Sequence, residues 1–252
     1  MISLTDIAGT AKPGTLYGIG VGPGDVRLLT LRAAALIQSV DIVGYFAKKG
    51  RQGNARKIVT PLLAAGQREI KFEYPVTDEI PADHPDYHDQ IGSFYREMAA
   101  TLEQNLKEGL SIGLLAEGDP FFYGSFMHMW RRLDDVVPVE VVPGVTGMSG
   151  CWTRANAPIA WGDDVLTVVP GTLDEERLKD RLASSDAVVI MKIGTNFAKV
   201  RRAVQAAGLA ERAVYVERGT MSDERILPLN ACEDVPGTYF SMVIIPGQGR
   251  RI

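Results

Sequence analysis

The sequence predicts an α/β protein of two αβ domains with mostly parallel or mixed sheets. Three observations carry this. Short apolar runs of strand length alternate with helix-period segments along nearly all of the 252 residues, the pattern of α/β folds. The alternation breaks once, around 143–162, where a short helical segment and the run APIAWGDD separate two sets of about four strands. Glycine-bearing loops follow the ends of three strands of the first half. The expected division is 1–145 and 146–252, with the ligand site in a cleft between the two, a favoured place for small molecules.

In chain order, TLYGIGV supplies a strand over 15–21. The loop GVGPGD (20–25) ends it, and Asp25 stands where it can cap the helix expected over 26–38. SVDIVGY gives a strand at 41–46, opened by Asp41. A helix over 54–65 follows the basic run KKGRQGNARK. The segment 68–90, with three prolines, reads as an irregular lid or wall, because a loop that long inside a domain is usually functional or disordered. A helix over 87–108 precedes a strand over 111–116. A helix over 124–134 follows, with Met129 and Trp130 as packing residues, then a strand over 138–142. VPGVTGMSG opens a helix over 146–156. The second half gives strands at 165–169, 187–192, 213–217 and 239–245 and helices at 174–183 and 196–207. Thr172 and Glu175 have the spacing of a capping box for the first of these helices.

Composition narrows the function. A net charge of −4 argues against a nucleic-acid partner held by general electrostatics. No apolar run approaches the roughly 20 residues of a membrane span, and MISLTDIAGTAKPG lacks the basic-then-apolar pattern of a secretory signal. A cytoplasmic protein is expected, with Cys151 and Cys232 as buried reduced thiols. The three histidines show no ligand spacing, so no metal is expected. The run 48–57 holds five basic residues and no acid: either a solvated face or a receptor for an anionic ligand.

The stretch YGIGVGPGDVRLLT (17–30) resembles a dinucleotide loop but fails its test. From Gly18, the third glycine of Gly-x-Gly-x-x-Gly falls on Pro23; from Gly20, it falls on Asp25. Proline lacks the N–H that a pyrophosphate loop uses. Asp41, the only acid near the expected distance, opens its strand instead of closing it. The stronger signal is collective. GVGPGD (20–25), AEGDPFFYGS (116–125) and VPGVTGMSG (142–150) each follow a first-half strand, and a parallel sheet gathers all three at its ligand-binding edge.

With these loops, GIGVGPGDVRLLTLRAA, LLAEGDPFFYGS and VVPGVTGMSG, the sequence resembles the tetrapyrrole (corrin/porphyrin) methylases, the class III methyltransferase fold. VVIMKIG (188–194), VYVERGTMSDERI (214–226) and YFSMVIIPG (239–247) continue the likeness in family order. GYFAKKGRQGNAR, YPVTDEI, EGDPFFYGSFMH, GMSGCW and VERGTM resemble the branch acting at the C-20 meso carbon. Glu117, where paralogues often have glycine, marks that branch.

The resemblance implies S-adenosyl-L-methionine as cofactor and a tetrapyrrole substrate with eight carboxylates, bound by a homodimer. It implies cofactor contacts from Pro23, Glu117, Gly118, Asp119, Phe122, Thr146 and Gly147, with Met191, Gly219 and Ile245 from the second half. The glycines would let backbone approach the cofactor closely. Substrate carboxylates would meet Lys48, Lys49, Arg51 and Arg56, with Arg218 and Lys192 as second candidates. A base for the meso proton could be Glu117, His84, His88 or Tyr74, or a solvent water. Alternatives are the same methylation on a cobalt-bearing ring, a paralogous precorrin methylase acting at another ring carbon, a diphthine synthase-like enzyme, and a non-catalytic nucleotide or tetrapyrrole carrier.

Overall fold

The computed structural model describes residues 4–76, 84–233, 237–238 and 240–249. The chain forms two compact units, Met1–Thr146 and Gly147–Ile252.

In the first unit, α1 (Leu4–Ala8) precedes β1 (Leu16–Gly20), α2 (Leu31–Ser39), β2 (Ile42–Lys48), α3 (Asn54–Ile58) and β3 (Arg68–Tyr74). Then come α4 (Pro85–Lys107), β4 (Ile112–Ala116), α5 (Phe126–Leu133) and β5 (Val139–Val142). The sheet order is β3-β2-β4-β1-β5 and every pairing is parallel. A parallel sheet needs cover on both faces, and each face has its own core. One packs Leu36 and Ile37 of α2 with Tyr17 and Ile19. The other packs Met98 and Leu102 of α4 and Phe126 and Met129 of α5 with Leu16 and Leu114. Gly18 permits the second: a Cβ there would lie 2.3 Å from the Phe126 ring.

Several expected elements change. The helix expected over 26–38 is a 3-10 turn at Val26–Leu28, capped by Asp25, followed by α2, whose N-cap Thr30 accepts the Ala33 N–H at 3.1 Å. The helix expected over 54–65 stops at Ile58, because Pro61 cannot donate to a continuing helix and a 3-10 turn takes over at Thr60–Leu62. The segment 68–90 is not an irregular lid over its described length. REIKFEY is β3, whose Ile70, Phe72 and Tyr74 pack on the core while Glu69, Lys71 and Glu73 alternate with them. From Pro85 the chain is α4. Residues 77–83 lie outside the described residues.

In the second unit, α6 (Gly147–Arg154) precedes β6 (Leu166–Pro170), α7 (Glu175–Ala183), β7 (Ala187–Met191) and α8 (Phe197–Ala206). β8 (Val214–Glu217), β9 (Arg225–Pro228) and β10 (Ser241–Ile245) complete it. The sheet order is β6-β7-β10-β8-β9; only β6 and β7 run parallel, so this sheet is mixed. The edge strand β9, RILP, has no counterpart among the expected strands. The cap of α7 is Asp174, which accepts the Arg177 N–H at 2.8 Å, and not Thr172.

Candidate functional site

Because β1, β4 and β5 are parallel neighbours, the loops after them emerge at one edge, and the backbone ties them together. Gly22 and Gly118 form an antiparallel bridge: the Gly118 N–H donates to the Gly22 carbonyl at 2.8 Å, and the Gly22 N–H donates back at 3.3 Å. Both glycines have left-handed φ, +74° and +66°, which other residues reach only with strain. The third loop is clamped to the second by Asp119. Its Oδ2 accepts the Gly144 N–H at 3.1 Å and its Oδ1 the Phe121 N–H at 2.9 Å.

Glycines of these loops also serve the packing of one loop on another. A Cβ on Gly144 would lie 2.0 Å from the Gly118 carbonyl oxygen, and one on Gly20 would lie 2.5 Å from Gly144 N. At these two positions glycine is needed so that the loops can pack on each other. Pro23 is buried, and Phe122 and Thr146 are half-buried.

Glu117 precedes the Gly118 bridge. Its Oε1 accepts the Ala55 N–H of α3 at 3.2 Å, and the Asn54 side chain also donates to the carboxylate. Burial outweighs these bonds and pushes its pKa up to about 7. This partner is not legible in the sequence, because nothing in NAR marks an amide aimed at a distant carboxylate.

The basic segment divides. Lys48, Lys49 and Arg51 lie on an exposed turn closed by the Arg51 N–H donating to the Lys48 carbonyl at 3.0 Å. Arg56 does not join them. Its guanidinium makes a paired bond to Glu69 of β3, 2.9 Å at each oxygen, and a third to Thr60 Oγ1 at 2.9 Å. Arg56, expected at a substrate carboxylate, here fastens α3 to the sheet, and the Glu69 bonds raise its pKa further.

The candidate bases are also engaged. His84 is the N-cap of α4, its Nδ1 accepting the Asp86 N–H at 3.2 Å. His88 is exposed, with its ring edge-on to Tyr87. Tyr74 stacks on Phe46 and shares a 2.5 Å hydrogen bond with Ser125 Oγ, to which Tyr95 also donates at 3.2 Å. Ser125, at the end of FFYGS, is the residue missed here; it organises two tyrosines at the sheet edge.

In the second unit, Lys192, Arg218 and Thr220 follow strands and have left-handed φ of 55°, 49° and 73°. Such strain in non-glycine residues gathers at ligand sites. Arg218 pairs with Glu217 at 2.6 Å and Asp223 at 3.0 Å, so its charge is already matched. Glu224 accepts the Thr220 N–H at 2.9 Å and pairs with Arg154 of α6. Gly219 packs on α6: a Cβ there would lie 2.8 Å from Cys151 Sγ. Burial pushes that thiol up to about 12. Gly147 opens α6 beside Met242, whose methyl would lie 3.1 Å from a Cβ at that glycine. Met191 is half-buried and its carbonyl accepts the Gly171 N–H at 2.6 Å. The Ile245 side chain is fully buried in the unit's core, which leaves only its backbone for any ligand.

The three first-unit loops contain no lysine or arginine but carry Glu117 and Asp119. A pyrophosphate would find no counter-charge there, whereas a nucleoside bearing a sulfonium and an ammonium needs none and meets backbone groups and apolar Pro23 and Phe122. The residues present fit S-adenosylmethionine on those grounds. Among the described residues no group of three or more His, Cys, Asp or Glu could hold a metal ion.

Comparison with known proteins agrees. Residues 15–233 match the family model of the tetrapyrrole (corrin/porphyrin) methylases. The chain is 48% identical over 234 residues to a precorrin-2 C(20)-methyltransferase from Sinorhizobium sp, covering 93% of this chain and 96% of that one. It resembles the solved structure of the cobalt precorrin-4 methyltransferase CbiF with a TM-score of 0.71 and 23% identity, over 92% of this chain and 95% of that one. It also resembles uroporphyrin-III C-methyltransferase from Thermus thermophilus, solved with S-adenyl homocysteine, with a TM-score of 0.64 and 21% identity, over 94% of this chain and 93% of that one. At these identities the two structures speak to the fold.

Proposed function

The chain belongs to the tetrapyrrole (corrin/porphyrin) methylases, and from that premise we propose that it transfers a methyl group from S-adenosylmethionine to the C-20 meso carbon of precorrin-2, giving precorrin-3A in cobalamin biosynthesis. The observation that carries this reading is the 48% identity to a precorrin-2 C(20)-methyltransferase over nearly the full length of both chains.

The cofactor supplies an electrophilic methyl group on a sulfonium, so the protein's part is position and electrostatics. Pro23, Gly118, Phe122 and Thr146 are the residues of the first unit that would hold it, with Asp119 keeping their loops in register. Gly147, Met191 and Gly219 are the candidates from the second unit. Substrate carboxylates fall to Lys48, Lys49 and Arg51, exposed at the same sheet edge and next to α3. These charges are separate from the cofactor loops, which suits an enzyme that must bind a polyanion and a cation side by side.

The exposed aromatic side chains Phe121, Tyr123 and Trp130 support a homodimer, the commonest symmetric assembly; sedimentation as a monomer at micromolar concentration would remove that part of the reading. No helix among the described residues is long and apolar enough to cross a membrane, and a cytoplasmic location is proposed with the rest.

The test is incubation of the purified protein with precorrin-2 and S-adenosylmethionine labelled in its methyl carbon. The label should appear at C-20. Label at another ring carbon would move the protein to a different branch, transfer only to the cobalt-bearing ring would move it to the other route, and no transfer would leave a carrier.

A further inference from the structure

The contact between Glu117 and Ala55 joins two parts that the proposed function treats separately. Residues 53–60 are pinned at three points, two on the sheet and one on a loop. Gly53 lies so close to β2 that a Cβ would come within 2.2 Å of the Phe46 carbonyl oxygen. Arg56 is bound to Glu69 and Thr60. The third point, Ala55 N–H on Glu117 Oε1, belongs to neither β2 nor β3. It reaches across to the loop after β4, one residue before the Gly118–Gly22 bridge. The exposed turn with Lys48, Lys49 and Arg51 sits between the end of β2 and this pinned segment, so the pinned segment sets where the turn ends.

We infer that Glu117 is a positioning residue, whose carboxylate fixes α3, and through it the Lys48–Arg51 turn, to the loop that holds the cofactor. The bonds from Ala55 and Asn54 already engage the carboxylate with the protein's own groups. Its work is then registration of the two ligand sites, and neither cofactor binding nor removal of the meso proton. The inference rests on the proposed function for what the turn recognises, but the tether itself does not.

The test compares Glu117→Ala with Glu117→Gln in the full chain. Glutamine keeps an oxygen that can accept the Ala55 N–H; alanine does not. Amide hydrogen exchange over 53–58 should be faster in Glu117→Ala and close to wild type in Glu117→Gln. The KM for precorrin-2 should rise about tenfold in Glu117→Ala, the size expected when one charge-assisted contact is lost. The affinity for S-adenosylmethionine should stay within about twofold in both variants, and Glu117→Gln should keep its kcat. Unchanged exchange in Glu117→Ala would remove the tether, whatever the substrate. A large loss of kcat in a folded Glu117→Gln would make the carboxylate a proton carrier, and loss of cofactor affinity in both would make it a cofactor ligand; either result overturns the inference. Faster exchange with an unchanged KM would also overturn it, by cutting the tether's link to substrate. If Arg51→Ala is equally silent in KM, the substrate assignment of the turn fails as well.

Discussion

Asp119 Oδ2 accepts the backbone N–H of Gly144 at 3.1 Å, fastening the loop after β4 to the loop after β5. Asp119 was expected to touch the cofactor, but both of its oxygens are used by backbone donors. Asp119→Ala should free the third loop. A hydrogen bond to a charged group contributes about 1.5–3 kcal/mol, so S-adenosylmethionine affinity should fall about tenfold or more. Asp119→Asn, with one oxygen left, should fall between. Calorimetric titration decides, and an unchanged affinity in Asp119→Ala would take the third loop out of the cofactor site.

Gly144 makes a sharper case. A Cβ there meets a carbonyl oxygen 2.0 Å away, a backbone atom in a paired bridge that cannot rotate aside. Gly144→Ala should therefore separate the loops, lowering stability by about 1–3 kcal/mol, the usual range for overpacking, and weakening the cofactor most. Gly50→Ala is the control. Nothing lies within 4 Å of its Cβ, and only its φ of +70° opposes the change, so it should lose less stability, of the order of 1 kcal/mol. Thermal melts with and without cofactor would reveal equal losses if the loops were not packed as described.

What the sequence made legible were features carried by local chemistry. Eight of the ten strands were readable because their apolar runs are bounded by turn residues, and Asp25 because a cap acts within two residues. The three loops and their common edge followed from strand direction alone. β3 was hidden because its alternation was read together with the prolines that follow it. The Glu117–Ala55 contact spans 62 positions and uses a main-chain amide, so no residue type announces it. The pairing of Arg56 with Glu69 was missed for a related reason: Glu69 lies on the strand that was not recognised.

That pairing separates two arginines that sequence had grouped. Arg56→Ala would strand the partly buried Glu69 and should lower stability by about 1–3 kcal/mol, with a small effect on substrate KM once folded. Arg51→Ala, on the exposed turn, should leave the melting temperature nearly unchanged and raise the KM for precorrin-2 about tenfold. Melting curves and kinetics on the two single variants check this; a reversed pattern would return Arg56 to the substrate.

Glu117 also makes stability depend on pH. Its pKa is raised from 4.5 to about 7 by burial. Below pH 4.5 both the folded and unfolded chains hold the proton, and the carboxyl causes no penalty. Between 4.5 and 7 the unfolded chain ionises first, so this group's contribution is lost as pH rises, and the loss is complete above 7. At 1.36 kcal/mol per unit the full effect is roughly 3 kcal/mol, an upper bound for a residue that still reaches some solvent. Glu117→Gln cannot ionise and keeps the Ala55 acceptor. It should be more stable than wild type at pH 8, by an amount that shrinks steadily toward pH 5. Denaturant titrations of both proteins at the two pH values measure the difference directly. A gap that stays constant with pH, or widens toward acid, would mean that the carboxylate is comfortable in its charged form and that its site is far more polar than the hydrogen bonds and burial imply.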